Sequence, residues 1–457
     1  MIEEPVKTEE SWETVAALMG EGQNQAVADF IESLPHDELP RLVSRLDQAE
    51  CGALMEVLPA SQAADVLEEL PEAQAAEIMS HMAAGAAAEI VEEMAVEEQA
   101  ELLRELGERR AEAILNELDV EESTNLRERI DYHPESAGAL MSGTFLSFSE
   151  HMTVGGLLRD LDDHADRYSD LEVQYAYVTA GDGGLTGVLP LRDLVLTPRG
   201  TKLEQVMIRG PVSVAAAAPL EDTSALFDHY DFVGVPVVDG NRRLVGVLSR
   251  DAVSEAMEKR SRKTFLKISG IVGGEELRSL PLKSRAIRRL AFLCPNIILN
   301  VVAASVIALY QDTLEAVIAL AVFLPIVSDM SGCSGNQAVA VSIRELALRL
   351  IRPSDALRVF LKEGALGLIN GVVVGTLLGA VAFLWKDNIY LGLVVGGALT
   401  LNTLVSVLLG GLVPLLLRAL RIDPALASGP ILTTVTDMCG FFFVLSFANL
   451  ALDKIVD

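Results

Sequence analysis

The chain reads as a multidomain protein. An all-α helical-repeat domain leads, a paired α/β module and a basic connector helix follow, and an all-α polytopic membrane domain with five transmembrane helices closes it. Three observations predict this. Apolar residues recur every twelve positions between residues 30 and 118. Two stretches further on share one order of strand, turn, Gly-Val-Leu strand and Asp-initiated helix. From residue 286 onward, five apolar stretches are each long enough to cross a bilayer, which takes about 20 residues. At 457 residues the chain exceeds a single domain.

Charge is uneven along the chain. Of the net −29, residues 1–131 hold −25, from 33 acidic and 8 basic side chains. An acidic, aromatic-poor domain excludes nucleic acid as its partner, because phosphate backbones are bound by Lys and Arg. It suits solubility or weak binding of hard cations. The four cysteines, Cys51, Cys294, Cys333 and Cys439, form no C-x-x-C pair. No zinc, redox or disulfide framework is therefore expected. The first residues, MIEEPVKTEESWE, carry no apolar core of a secretory signal, so the soluble part is expected in the cytoplasm.

Residues 1–22 are polar and are read as a disordered tail. In residues 23–131, Leu34, Leu46, Leu58, Leu70, Met82, Met94, Leu106 and Leu118 keep the twelve-residue spacing. A pair such as Phe30-Ile31, Leu42-Val43 or Leu54-Met55 precedes each by four and three positions. Each unit is then a short helix with an i, i+1, i+4 apolar face, often closed by Pro or Gly. Helices this short are not stable alone and must stack as a solenoid around a shared core. Glutamates such as Glu68, Glu69, Glu92 and Glu93 fall on the outer face.

Residues 132–258 alternate strands and helices. The strands are 173–179, 187–191, 234–238 and 244–248, with hairpin turns at 181–184 and 239–241. The two halves, Gly187-Val188-Leu189 with Asp193 and Gly246-Val247-Leu248 with Asp251, resemble a tandem pair of cystathionine-β-synthase (CBS) domains. That resemblance implies a regulatory module, in many cases one that binds ATP or another adenine nucleotide. Pro190 replaces the hydroxyl residue common after the first Gly-Val-Leu. Ser249 keeps it in the second half, so Ser249 and Asp251 are the candidate nucleotide-binding residues, with Asp251 near the ribose. A purely structural pair is the alternative.

Residues 259–285 form the basic connector, with Lys259, Arg260, Arg262 and Lys263 at its start. The membrane domain, 286–457, has spans at about 286–310, 314–338, 357–385, 391–417 and 428–452. The loops 344–358 and 418–421 are basic, whereas 311–313 and 386–388 are not. This places the N-terminus and the basic loops inside and the C-terminus outside.

One carboxylate, Asp437, lies about ten residues inside the last span, where a charge costs about 2.5–3.5 kcal/mol on insertion scales. Thr433 shares its helical face, and Gly429-Pro430 weakens the local backbone ladder. Oxygen ligands on a flexible backbone suit a hard, hydrated cation. The second span is read as broken at Pro325. It then offers Asp329, a second acid nearer the span's end, with Gly332, Gly335 and Asn336 beside it. Asn296, Asn300 and Asn402 are read as interhelical hydrogen-bonders. No catalytic constellation is present, so an enzyme is not expected.

The whole order, with DPALASGP-x-x-TT-x-TD at 423–437, resembles the MgtE family of magnesium channels. The resemblance implies a homodimer in the inner (cytoplasmic) membrane with one pore on its two-fold axis. It implies that Asp437, one per subunit, holds hydrated Mg²⁺, and that the cytosolic domains gate the pore by sensing Mg²⁺. Two departures stand out. Asp329 replaces a small residue beside Ser331–Gln337, where the family reads Gly-Gly-Asn-x-Gly-x-Gln. A second acid opens a preference for Mn²⁺ or Co²⁺, or coupling to protons. The run Lys259-Arg260-Ser261-Arg262-Lys263 replaces an acidic one, so Arg260, Arg262 and Lys263 are read as docking residues for the acidic domain, with Mg²⁺ gating weakened. The rival functions are an ion-coupled secondary transporter and a nucleotide-reading membrane sensor without transport.

Overall fold

The structure is a computed structural model. It describes residues 11–35, 38–165, 174–274 and 276–456, apart from the side chains of Glu97 and Glu121. The chain divides into two compact units, Met1–Ser261 with Glu276–Pro281, and Arg262–Glu275 with Leu282–Asp457.

In the first unit, successive short helices run from Ser11–Gly20 to Val120–Ile130. Ser11–Gly20 is a correction to the disordered tail. Its Val15 is fully buried in the repeat core, and this burial orders a segment whose polarity suggested a tail. Residues 1–10 of that tail, and Val173 of the first expected strand, lie outside the described residues. The twelve-residue periodicity is the core itself, since Leu34, Leu46, Leu58, Leu70, Met82, Met94 and Leu118 are all buried. The last apolar residue of a unit is less helical than the spacing predicts. Leu58, Met82 and Met94 are C-caps in extended conformation, buried in the shared core. Helices pack on the next but one: Gln48–Val57 on Glu72–His81, Ala60–Glu68 on Ala84–Glu93, and Glu72–His81 on Val96–Leu106. Asp47 and Glu50 close a capping box, with Glu50 N donating to Asp47 Oδ1 at 2.9 Å and Asp47 N donating to Glu50 Oε2 at 2.7 Å.

Burial, and the nearby Glu92 carboxylate, push the Glu122 carboxyl above its ordinary range. An acid with a raised folded value carries no penalty below the ordinary glutamate range. The penalty grows as pH rises and is complete above the raised value. Glu122→Gln should therefore raise the unfolding midpoint of the repeat domain at neutral pH and leave it unchanged near pH 3. Fluorescence of Trp12, which packs on this core, reads the transition.

Among the described residues the α/β module has two sheets. β1 (Ser147–Ser149), β2 (Tyr175–Thr179), β3 (Leu185–Pro190) and β4 (Ile208–Arg209) make the first, and β5 (Val214–Ala215), β6 (Gly234–Val238) and β7 (Leu244–Ser249) the second. β1 runs parallel to β2 and β5 parallel to β6, while β2–β3 and β6–β7 are antiparallel hairpins. The turns fit their residues: Asp182 Oδ1 accepts from Gly184 N, and Asp239 Oδ1 accepts from Asn241 N and Arg243 N. The halves are interleaved, because Ala137 and Met141 precede the first sheet yet lie in the core of the second half.

The connector does not begin at residue 259. One helix runs Arg250–Ile268 without a break, and the next, Leu282–Leu309, starts four residues before the expected span. Strong helix formers follow Asp251, with no Gly or Pro before Gly270, so nothing stops the helix at the module's edge.

Among the described residues of the second unit, four helices are long and apolar enough to cross a membrane: Leu282–Leu309, Pro353–Lys386, Ile389–Ala419 and Pro424–Leu450. Leu320–Ala347 has 28 residues but carries Asp329, Asn336, Gln337, Arg344 and Glu345, and is not among them. Five expected spans thus become four apolar helices and one polar one packed against the fourth and fifth. Pro325 does not break that helix. It sits in the second turn, where a missing N–H removes one intrahelical bond and the neighbours hold the rest. The last helix likewise starts before the expected 428, with DPALASG as its cap and first turns. Asp423 is the N-cap, accepting from Ala425 N at 3.0 Å, and Pro424 is the first helical residue.

Ala356–Lys386 packs closely along Ile389–Ala419. Gly371, Gly375 and Gly379 face Thr400, Gly396 and Gly392. A Cβ on Gly396 would lie 2.6 Å from Gly375 O, and one on Gly392 would lie 2.6 Å from Gly379 O. Without a hydrophobic drive between helices in lipid, such close backbone packing supplies the attraction.

Candidate ion pathway

Asp437 lies mid-helix in Pro424–Leu450, half-buried, and its Oδ1 accepts from Ser328 Oγ of Leu320–Ala347. Thr433, one turn before it, is exposed, and its hydroxyl donates to Gly429 O at 3.0 Å. The structure thus puts the expected acid and hydroxyl on one face and ties the acid to the polar second helix. Asp329 and Asn336 are exposed on that helix, and Gly332 has nothing within 4 Å of a Cβ position. Gly335 is placed differently. It is buried against Ser406 and Leu432, and its carbonyl meets Gly410, so it serves the contact with the fourth helix. Among the described residues no three His, Cys, Asp or Glu side chains converge on one point.

Sequence reasoning missed Ser328, Ser331 and Ser406. Asn402 Nδ2 donates to Ser331 Oγ, and Ser406 Oγ donates to Ser331 O at 2.6 Å. The interhelical role expected of Asn402 is therefore what the structure contains. At the start of the last helix, Asp423 Oδ2 accepts from Lys267 Nζ at 2.9 Å.

The basic run divides its partners. Lys259 pairs with Glu72 and, at 2.7 Å, with Glu101, both in the repeat domain. Arg260 pairs instead inside the α/β module, with Glu221 at 2.8 Å and Glu135 at 3.6 Å. Arg262 and Lys263 fall in the other compact unit. Lys259 thus reaches the acidic domain while Arg260 turns to the α/β module, because neighbouring positions on a helix face different ways.

A cavity of about 620 Å³ opens in the α/β module, lined by Tyr175, Pro190, Leu191, Arg192, Phe232 and Pro236 among others. Ser249 and Asp251 do not line it. Ser249 Oγ accepts from Ala252 N at 3.1 Å and caps the long helix, while Asp251 sits in its first turn. The second-half motif is here a helix start, and the cavity lies at the first-half one.

Three family models match the chain: "Divalent cation transporter" over 324–447, "MgtE intracellular N domain" over 23–135 and "CBS domain" over 203–259. The magnesium transporter MgtE of Enterococcus faecalis is 32% identical over 72% of this chain and 72% of its own length. The chain belongs to the MgtE family. The MgtE of Thermus thermophilus is 34% identical over 71% of this chain and 72% of its own. A crystal structure of the cytosolic domain of the Mg²⁺ channel MgtE in complex with ATP is 28% identical, with a TM-score of 0.48, over 54% of this chain and 99% of that one. The stretch matched by the divalent cation transporter model includes Asp329 and Asp437.

Proposed function

We propose that this chain forms a Mg²⁺ channel as a homodimer, with Asp437 of each copy facing a shared pore and the cytosolic unit gating it. The observation that carries this is Asp437: a carboxylate mid-helix, half-buried, held on one oxygen by Ser328, with no cluster of three metal-ligating side chains around it among the described residues. One acid per chain makes no dehydrating cage. It suits Mg²⁺, which keeps its waters and is held through them by one or two carboxylates. Two copies about an axis would supply the pair. In this reading Leu320–Ala347 also crosses the membrane, as the second of five spans, and its polar residues are tolerated because they line the pathway. The basic ends at Arg344–Arg358 and Arg418–Arg421 face the cytoplasm with the N-terminus, and the C-terminus lies outside the inner membrane. An adenine nucleotide, if one regulates the protein, belongs in the cavity beside Arg192, with Tyr175 and Phe232 for the base.

The test is uptake by proteoliposomes of purified protein under a Mg²⁺ gradient, with ionophores abolishing proton and sodium gradients. Sustained uptake is expected. Uptake that appears only with a proton or sodium gradient would instead establish the coupled divalent-cation transporter, the reading that the exposed second acid, Asp329, favours.

Gating follows Lys259. Its ammonium bridges Glu72 and Glu101, and the three side chains are about one third exposed or less. A fixed cation there does without a mobile one, and salt screens a part-buried pair only weakly. Protease protection of the repeat domain in the full chain should survive chelation of Mg²⁺ and be lost in Lys259→Glu. Loss of protection on chelation alone would show that Mg²⁺, and not the lysine, holds the domain.

A further inference from the structure

Three helices of the membrane unit meet at one buried amide. Asn402, in Ile389–Ala419, is 0% exposed. Its Nδ2 donates to Ser331 Oγ in the second helix. Ser331 Oγ donates to Val327 O at 2.7 Å, with Ser328 O alongside at 3.0 Å. Ser406, one turn beyond Asn402, donates to Ser331 O at 2.6 Å, and Ser328 Oγ donates to Asp437. In the last helix Gly440, three residues past Asp437, leaves room for the amide: a Cβ there would stand 2.7 Å from Asn402 Nδ2.

The cluster is costly to bury. Asn402 Oδ1 accepts no hydrogen bond among the described residues. A buried unsatisfied carbonyl loses about 1–3 kcal/mol, which an apolar residue of similar size would avoid. What the amide supplies in return is direction. It fixes Ser331, and Ser331 sits one turn from Ser328, whose Oγ donates to Oδ1 of Asp437.

We propose that Asn402 is a positioning residue for selectivity among divalent cations: through Ser331 and Ser328 it fixes the plane of the Asp437 carboxylate. The proposal rests on the reading that Asp437 faces the ion. With Oδ1 held by Ser328, the other oxygen keeps one direction toward the ion's water shell. Mg²⁺ holds its waters in a near-ideal octahedron, whereas Ca²⁺ takes six to eight ligands in flexible geometry. A carboxylate in fixed orientation therefore favours Mg²⁺, and one that can turn accommodates Ca²⁺ as well. Outer partners of this kind set a ligand's orientation at metal sites generally.

The experiment uses the full chain in liposomes and measures Mg²⁺ and Ca²⁺ uptake by the same preparation. Asn402→Ala should lower the Mg²⁺-over-Ca²⁺ ratio by about tenfold, the lower end of outer-partner effects. Gly440→Ala pushes on the amide from another helix and should shift the ratio in the same direction, so the proposal stays testable where Asn402→Ala does not fold. Ser328→Ala should lower the ratio too, and Asn402→Ala combined with it should go no further, because both act along one path. A merely structural asparagine would change the melting temperature and leave the ratio alone. An unchanged ratio in folded Asn402→Ala, or additive effects in the double variant, overturns the proposal. Asp437→Asn separates the two readings. If it leaves uptake and ratio intact, the pore assignment itself fails. If it abolishes uptake while Asn402→Ala keeps the wild-type ratio, only the positioning role falls.

Discussion

Asp437→Asn should reduce Mg²⁺ uptake to the level of empty liposomes, a loss of at least about a hundredfold, or ~2.7 kcal/mol. The substitution keeps the size of the side chain, and the amide oxygen can still accept from Ser328, so the contact between the second and last helices survives. What disappears is the charge. Two charges about 4 Å apart interact by about 4 kcal/mol at an effective dielectric near 20, and a divalent ion doubles that. Asp437→Glu, which restores charge on a longer arm, should recover part of the flux. Equal uptake by wild type and Asp437→Asn would make Asp437 a packing acid and move the ion path to the exposed face of Asp329 and Asn336.

Gly375→Leu should prevent recovery of a folded membrane unit, and Gly375→Ala should lower its melting temperature measurably. A Cβ at Gly375 would stand 2.5 Å from Gly396 O, and that obstacle is backbone, which no rotamer change can remove. The two helices would have to separate along their length, at a cost above the ~1–3 kcal/mol usual for overpacked cores. Gly397→Ala is the control. It lies beside Gly396, and its Cβ would meet only Phe447, at 3.9 Å, an ordinary contact. Size-exclusion profiles and melting curves in detergent compare the three. A normal Gly375→Leu profile would show that the third and fourth helices are not held by this contact.

How much of this was legible in the sequence depended on the range of the interaction. The twelve-residue repeat was, because burial acts on every unit alike and leaves a period. The hairpins were, because Asp182 and Asp239 build their own turns within four residues. Helix boundaries were less so. Pro325 and Pro424 carry the same local signal, yet one lies inside a helix and the other opens one, and neighbouring helices decide which. Ser11–Gly20 was missed for the same reason, since Val15 is ordered by a core built from later residues. At the candidate site, Asp437 was visible as a charge out of place. Its partner was not, because Ser328 is 109 positions away and a serine in a span carries no signal by itself. The glycines at 367, 371, 375 and 379 did carry one, a strict four-residue spacing in an apolar helix, and could have been found by that pattern.

The next-but-one packing of the repeat helices has a consequence for how such a domain can change length. Neighbouring units lie in alternate rows, so adding or deleting a single twelve-residue unit moves every later helix into the opposite row. The surface carrying Glu101 would then turn away from Lys259. Adding or deleting two units restores the rows. Insertions and deletions compatible with an intact join therefore come in steps of twenty-four residues, and a domain built this way counts in pairs.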